Sequence, residues 1–126
     1  MKKQIVGVLL GGMGLLLFLS LNQGSTADEV IPEEIGMILK SSCYDCHTSG
    51  ARSEDAKKAV QYDLWDDYSV TKKIAILGKI GEVIEEDKMP PQKYQENKPD
   101  RKLTEDQKMQ LLDWSKKESG RLMQGN

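Results

Sequence analysis

The chain has 126 residues, 30% of them charged with both signs interspersed, only 6% aromatic, and two cysteines. That is room for one small domain and not for two, with a core modest for its length. Domains of this kind usually need a staple such as a disulfide, a metal or a bound cofactor, which directs attention to the cysteines.

Residues 1–27 differ from everything after them. Lys2 and Lys3 give a positive start, Ile5 to Leu21 is apolar and charge-free, and Ser25-Thr26-Ala27 places small residues before Asp28 and Glu29. This is the layout of a secretory signal peptide. The apolar run of 17 residues is diluted by Gly7, Gly11, Gly12 and Gly14. It is slightly long for a signal core and slightly short for a spanning helix. Cleavage after Ala27 is expected, with an uncleaved N-terminal membrane anchor as the alternative. Either places residues 28–126 in the periplasm or on the outer face of the cytoplasmic membrane. Removing residues 1–27 moves the formal charge from -2 to -4, a mildly acidic balance that argues against nucleic acid as a partner.

Along residues 28–126 the pattern is helical. Pro32 suits a first turn, Glu33 and Glu34 suit its positive end, and Ile35, Ile38 and Leu39 follow at helical spacing, so a helix should run into the cysteines and exit at Thr48-Ser49-Gly50. Ser53 can cap a short helix through Val60, and Gln61 to Tyr68 reads as a mixed loop carrying Trp65. Ser69 can cap the next helix, in which Ile74, Leu77, Gly81 and Ile84 form one stripe and Ile76, Ile80 and Val83 widen it. That helix should end before Pro90. Thr104 with Gln107 has capping-box spacing ahead of a last helix bearing Met109, Leu111, Leu112 and Trp114. No segment alternates with period two, so the expected fold class is all-α: a small helical domain with long irregular connections. Gly36, lacking a side chain, is expected to admit the last helix around Leu111 and Trp114.

Residues 43–47 read Cys-Tyr-Asp-Cys-His, the attachment signature of c-type haem. Residues three apart share a helical face, so both thiols can reach the two vinyl groups of one porphyrin. His47, four after Cys43, then offers its imidazole to the iron. His47 is the sole histidine, so one haem per chain is expected and bis-histidine ligation within the chain is excluded. The plain alternative is a CxxC redox disulfide, but the βαβ pattern of a thioredoxin-like fold is missing. Zinc is weaker still, with three soft ligands where a structural site usually takes four.

The remaining iron position in an electron carrier is usually filled by a methionine sulfur. Met37 lies only six residues before Cys43, and Met109 and Met123 fall at ordinary positions of the last helix. Met89 stands before Pro90 and Pro91, which hold the backbone extended and stiff, and it lies 42 residues after His47, enough chain to round a haem edge. Met89 is therefore the expected sixth ligand, against a core methionine, Lys88 or an open site.

With Cys43-Tyr44-Asp45-Cys46-His47 and Glu86-Asp87-Lys88-Met89-Pro90-Pro91, the chain resembles the small bacterial haem-binding domain family of monohaem c-type cytochromes. Val60 to Trp65, Tyr68-Ser69, the helix to Val83-Ile84 and the ending Leu103 to Trp114 support the resemblance. It implies a cytochrome c-like fold wrapped around one covalently attached haem c, with thioethers at Cys43 and Cys46, His47 as proximal and Met89 as distal ligand. The wider mitochondrial-type class has a proline soon after the motif whose carbonyl accepts from the ligand histidine. Here no proline lies between His47 and Met89, so another carbonyl in the Thr48 to Arg52 loop or beyond must orient the ring.

A six-coordinate iron suits a one-electron carrier rather than an enzyme. The competing classes are a haem-based ligand sensor or peroxidase-like enzyme with an open sixth position, and a haem subunit of a membrane complex held through residues 1–27. Redox proteins are the expected partners. Trp65, Tyr62, Tyr68 and Tyr94 could line the haem or pack the core. Lys88, Lys93, Lys98, Arg101 and Lys102 could form a docking surface for an acidic partner or a solvated mixed-charge loop.

Overall fold

The structure, a computed structural model, describes residues 31–125. The signal or anchor reading of residues 1–27 lies outside them. Five α-helices follow in order: α1 (Glu33–Ser42), α2 (Glu54–Ala59), α3 (Val70–Glu85), α4 (Gln92–Asn97) and α5 (Glu105–Gln124), with 3-10 turns at Tyr62–Asp67 and Pro99–Arg101. The fold is all-α, and among the described residues there is no strand.

Helix starts follow the expected side-chain chemistry. Ser53 accepts from Ala56 N–H and Ser69 from Lys72 N–H, while Thr104 and Gln107 form a reciprocal capping box. Each cap satisfies a backbone donor that the first turn leaves without an intrahelical partner. α1 stops earlier than its periodicity suggests, because the Leu39 carbonyl takes both the Cys43 and Tyr44 N–H groups and so breaks the helical register. One helix-like turn nevertheless persists across the motif, with His47 N–H bonded to the Cys43 carbonyl at 3.0 Å.

α3 and α5 share the most extensive helix contact of the fold, and α1 packs on α5. Leu39, Leu77 and Leu111 are each 1% exposed, a burial worth about 2 kcal/mol per side chain. Trp65 stacks at a tilt on Trp114, ring centroids 5.9 Å apart, and the buried Lys73 ammonium lies 6.0 Å from the Trp65 ring. The broad apolar stripe of α3 serves two neighbours. Gly81 meets α5, where a Cβ would sit 3.5 Å from Ser115 Oγ, whereas Ile76, Ile80 and Val83 face a cleft on the other side.

Three expectations need correction. Gly36 does not receive the last helix, since a Cβ there would meet nothing within 4 Å; α1 uses Ile35, Ile38 and Leu39 for burial, and the glycine at a close approach is Gly81. Gln61 to Tyr68 is not a loop but largely a 3-10 turn that buries Tyr62 and Trp65. The stretch after Pro91 is not irregular either. Pro91 caps α4, a helix of six residues that buries none of them and so leaves no apolar period in the sequence.

Candidate functional site

The four residues singled out in the sequence come together in one cleft. Cys43, Cys46, His47 and Met89 all line a cavity of about 380 Å³ walled by the aliphatic side chains of Leu39, Val60, Ile76, Ile80, Val83, Ile84 and Leu111. The other methionines among the described residues, Met37, Met109 and Met123, are each 59% exposed. Tyr62 and Tyr94 also line the cleft, while Trp65 belongs to the core and Tyr68 accepts from Gln61 N–H through its hydroxyl.

His47 is fixed by two carbonyls at the end of α2. Its Nδ1 lies 3.0 Å from the Ala56 oxygen and 3.3 Å from the Val60 oxygen. Carbonyls only accept, so Nδ1 carries the proton and Nε2 keeps its lone pair for a metal. The Ala56 carbonyl also accepts from Val60 N–H at 3.1 Å, so its second lone pair takes the imidazole, while Val60 lies just past the last turn of the helix. The carbonyls that orient the ring thus lie beyond the Thr48 to Arg52 loop, at a folded-back helix end. The ring is further held by its own backbone: the His47 carbonyl accepts from Tyr62 N–H at 2.9 Å, and Ser49 N–H donates to Asp63 at 2.9 Å. The Ser49 hydroxyl also donates to Asp63, and holds its carboxyl below the usual range. The Tyr62 ring stands edge-on to the imidazole, 5.9 Å between centroids, and stacks on Tyr44.

Met89 is aimed by the end of α3. Asp87 takes a left-handed conformation with φ 52°, Lys88 N–H bonds the Val83 carbonyl at 2.9 Å, and Asp87 N–H bonds that of Ile84 at 3.1 Å. This is a Schellman stop with aspartate where glycine is usual. Met89 N–H also reaches the Val83 carbonyl, at 3.3 Å, so the methionine backbone is tied to the helix before Pro90 leads the chain away.

Burial pushes the Cys43 thiol up to about 12, with the neighbouring Cys46 adding to the effect. A redox-active CxxC works through a thiol whose pKa is lowered, so this environment opposes the disulfide-exchange reading. Among the described residues no group of three or more His, Cys, Asp and Glu is placed to hold a metal ion.

Sequence reasoning missed the environment of Asp45, inside the motif. Its carboxylate receives Tyr94 hydroxyl at 3.0 Å, Lys98 Nζ at 2.6 Å and Arg101 Nη1 at 3.1 Å, and the Lys98 and Tyr94 hydrogen bonds hold its pKa down. Two cations of the expected docking surface are therefore engaged internally, and Lys88 pairs with Glu86 at 2.5 Å. The only hint in the sequence was opposite charge at a distance.

The donor set fits a haem: two thiols one turn apart, an imidazole of fixed tautomer, a soft thioether and an apolar wall. α2 and α4 both contribute to the cleft yet bury no residue of their own, so a planar apolar group between them and α3 would cover faces that are now open. No curated protein and no solved structure matches the chain. A family model described as a haem-binding domain matches residues 51–117, from just after the Cys43–His47 motif through Met89 and into α5, and with more than half of its length matched the chain belongs to that family.

Proposed function

We propose that this haem protein is an exported monohaem c-type cytochrome that carries single electrons outside the cytoplasmic membrane. The observation that carries the reading is the single cleft lined by both thiols, His47 and Met89, with every other described methionine on the surface. Haem bound there supplies an iron that exchanges one electron between its ferric and ferrous states. Cys43 and Cys46 would hold it covalently through thioethers, which would turn retention from a binding equilibrium into a matter of bond cleavage. His47, its Nδ1 proton on the Ala56 and Val60 carbonyls, would offer Nε2 to the iron. Met89 would offer its sulfur as a second donor. A thioether is neutral and soft, favours the ferrous state, and leaves no position for substrate.

Replacing Met89 with alanine in matured protein should lower the reduction potential and let carbon monoxide bind the reduced form, while the same change at Met109 or Met123 should do neither. Haem that leaves denatured wild-type protein with acidified solvent would refute covalent attachment. Rapid and complete binding of carbon monoxide by reduced wild type would refute methionine closure and put a ligand sensor or enzyme ahead.

A further inference from the structure

Asp45 occupies a position of the attachment motif whose side chain the haem chemistry does not use. Its three partners all come from one segment, the chain that follows Met89, Pro90 and Pro91: Tyr94 and Lys98 lie in and just after α4, and Arg101 ends the next 3-10 turn. Arg101 reinforces the junction. Its guanidinium donates to the Ser41 carbonyl at 3.4 Å, and its own carbonyl accepts from the buried Ser42 hydroxyl at 2.8 Å. The end of α1, the attachment loop and the segment after Met89 are thus joined by five hydrogen bonds that span roughly fifty to sixty residues of sequence. α4 buries no residue of its own, and these bonds tie its C-terminal side to the attachment loop.

Two tethers therefore define the Met89 arm. The upstream one is the helix stop on the Val83 carbonyl, and the downstream one is the junction at Asp45. We propose that Asp45 is a positioning residue that locks the Met89 arm to the thioether loop, so that the sulfur stays on the iron and the sixth position stays closed. This rests on the reading of Met89 as an iron ligand. A thioether is a weak axial donor, so the closed state depends on how rarely the arm swings away. Releasing the Asp45 bonds leaves the arm held by the upstream tether, by the buried Pro90 and by the two bonds of Arg101 to α1, so its hold is weakened and the open population rises. Exposed charge-assisted pairs are individually weak, and together the three partners of Asp45 set an opening equilibrium that should change about tenfold when they are lost.

The test uses matured full-length protein carrying Asp45→Ala and, from the other side of the junction, Lys98→Ala with Arg101→Ala, a pair that leaves the attachment motif intact. Three readouts are taken: haem retained after acidified-solvent extraction, the weak far-red absorption of sulfur-ligated ferric iron, and the rate of carbon monoxide binding to the reduced form. Both variants should keep covalent haem, show a diminished far-red band and bind carbon monoxide about tenfold faster, and Asp45→Glu should restore wild-type behaviour. A wild type with the band, and variants with an unchanged band and unchanged rate, would overturn the role of Asp45 alone. A wild type without the band, already open to carbon monoxide, would overturn the Met89 reading and this role with it.

Discussion

The backbone at Asp87 sets where Met89 begins, and its substitution separates backbone strain from charge. Asp87 has φ 52°, a region that costs an L-residue roughly 1–2 kcal/mol and a glycine almost nothing. Aspartate bears this better than most residues because its short polar side chain can bond locally, and a β-branched residue bears it worst. Asp87→Val should therefore destabilise the domain by about 1–2 kcal/mol. Asp87→Gly should stay within about 0.5 kcal/mol of wild type, its relief of strain offset by the freer unfolded chain. For a domain of this size the valine variant should melt roughly 5–15 °C below the glycine variant. The carboxylate also accepts from Lys108 at 2.6 Å, but Lys108 keeps Glu105 at 3.0 Å, so this loss is secondary, and Lys108→Met measures it separately. Thermal unfolding followed by far-ultraviolet circular dichroism gives the comparison. The far-red band gives the functional half, since disturbing the stop at Val83 should loosen Met89 in the valine variant alone. Equal melting of the valine and glycine variants would refute the claim that this left-handed turn is what ends α3 and presents the methionine.

Gly81→Ala should raise stability by up to about 1 kcal/mol, because its Cβ makes an ordinary 3.5 Å contact with Ser115 Oγ and alanine is the better helix former; Gly81→Leu should cost about 1–3 kcal/mol by prising α3 from α5. Urea denaturation of the two variants decides this, and a destabilised alanine variant would show the helices to be closer than described. The carboxyls of Asp45, bonded by Lys98 and Tyr94, and of Asp63, bonded by Ser49, are both held below their ordinary 3.8. A depressed folded-state pKa gives stability that is complete above 3.8 and is lost as pH falls through the folded values. Acid unfolding should thus steepen below about pH 4, and Asp45→Asn or Asp63→Asn should flatten that limb without changing the slope near neutrality.

That Cys43, Cys46, His47 and Met89 belong together was legible in the sequence because each is marked by its neighbours in the chain, whereas contacts made by distant backbone were not. Cys43, Cys46 and His47 announce themselves by spacing, and Met89 by the two prolines after it. Ser53, Ser69 and Thr104 mark helix starts because a cap is a local bond. The Ala56 and Val60 carbonyls could not be read, since a carbonyl belongs to every residue and only folding brings this helix end back onto the imidazole. Asp45 was hidden for a related reason: its partners are 49–56 residues away, and surface charges in a mixed sequence carry no register. Gly36 misled because a helical glycine signals a possible close approach without saying whether any neighbour takes it. Gly81, in the densest helix contact, had the neighbour.

The two long helices and the short ones divide the work of building the cleft. α3 and α5 bury Leu77, Leu111 and Trp114 against each other and the Trp65 turn, so the wall formed by Ile76, Ile80 and Val83 is the back of a packed core and moves only if that core moves. His47 and Met89 sit instead on segments fixed by hydrogen bonds, His47 through the end of α2 and Met89 through the stop after α3 and the junction at Asp45. Such bonds are directional where apolar contact is not, and direction is what a ligand nitrogen or sulfur must have. A site built this way can hold an imidazole and a thioether in one cleft without a large core of its own. That is the arrangement a domain with 6% aromatics and a chain of 126 residues can sustain, provided the cofactor itself fills the space between the short helices and the packed pair.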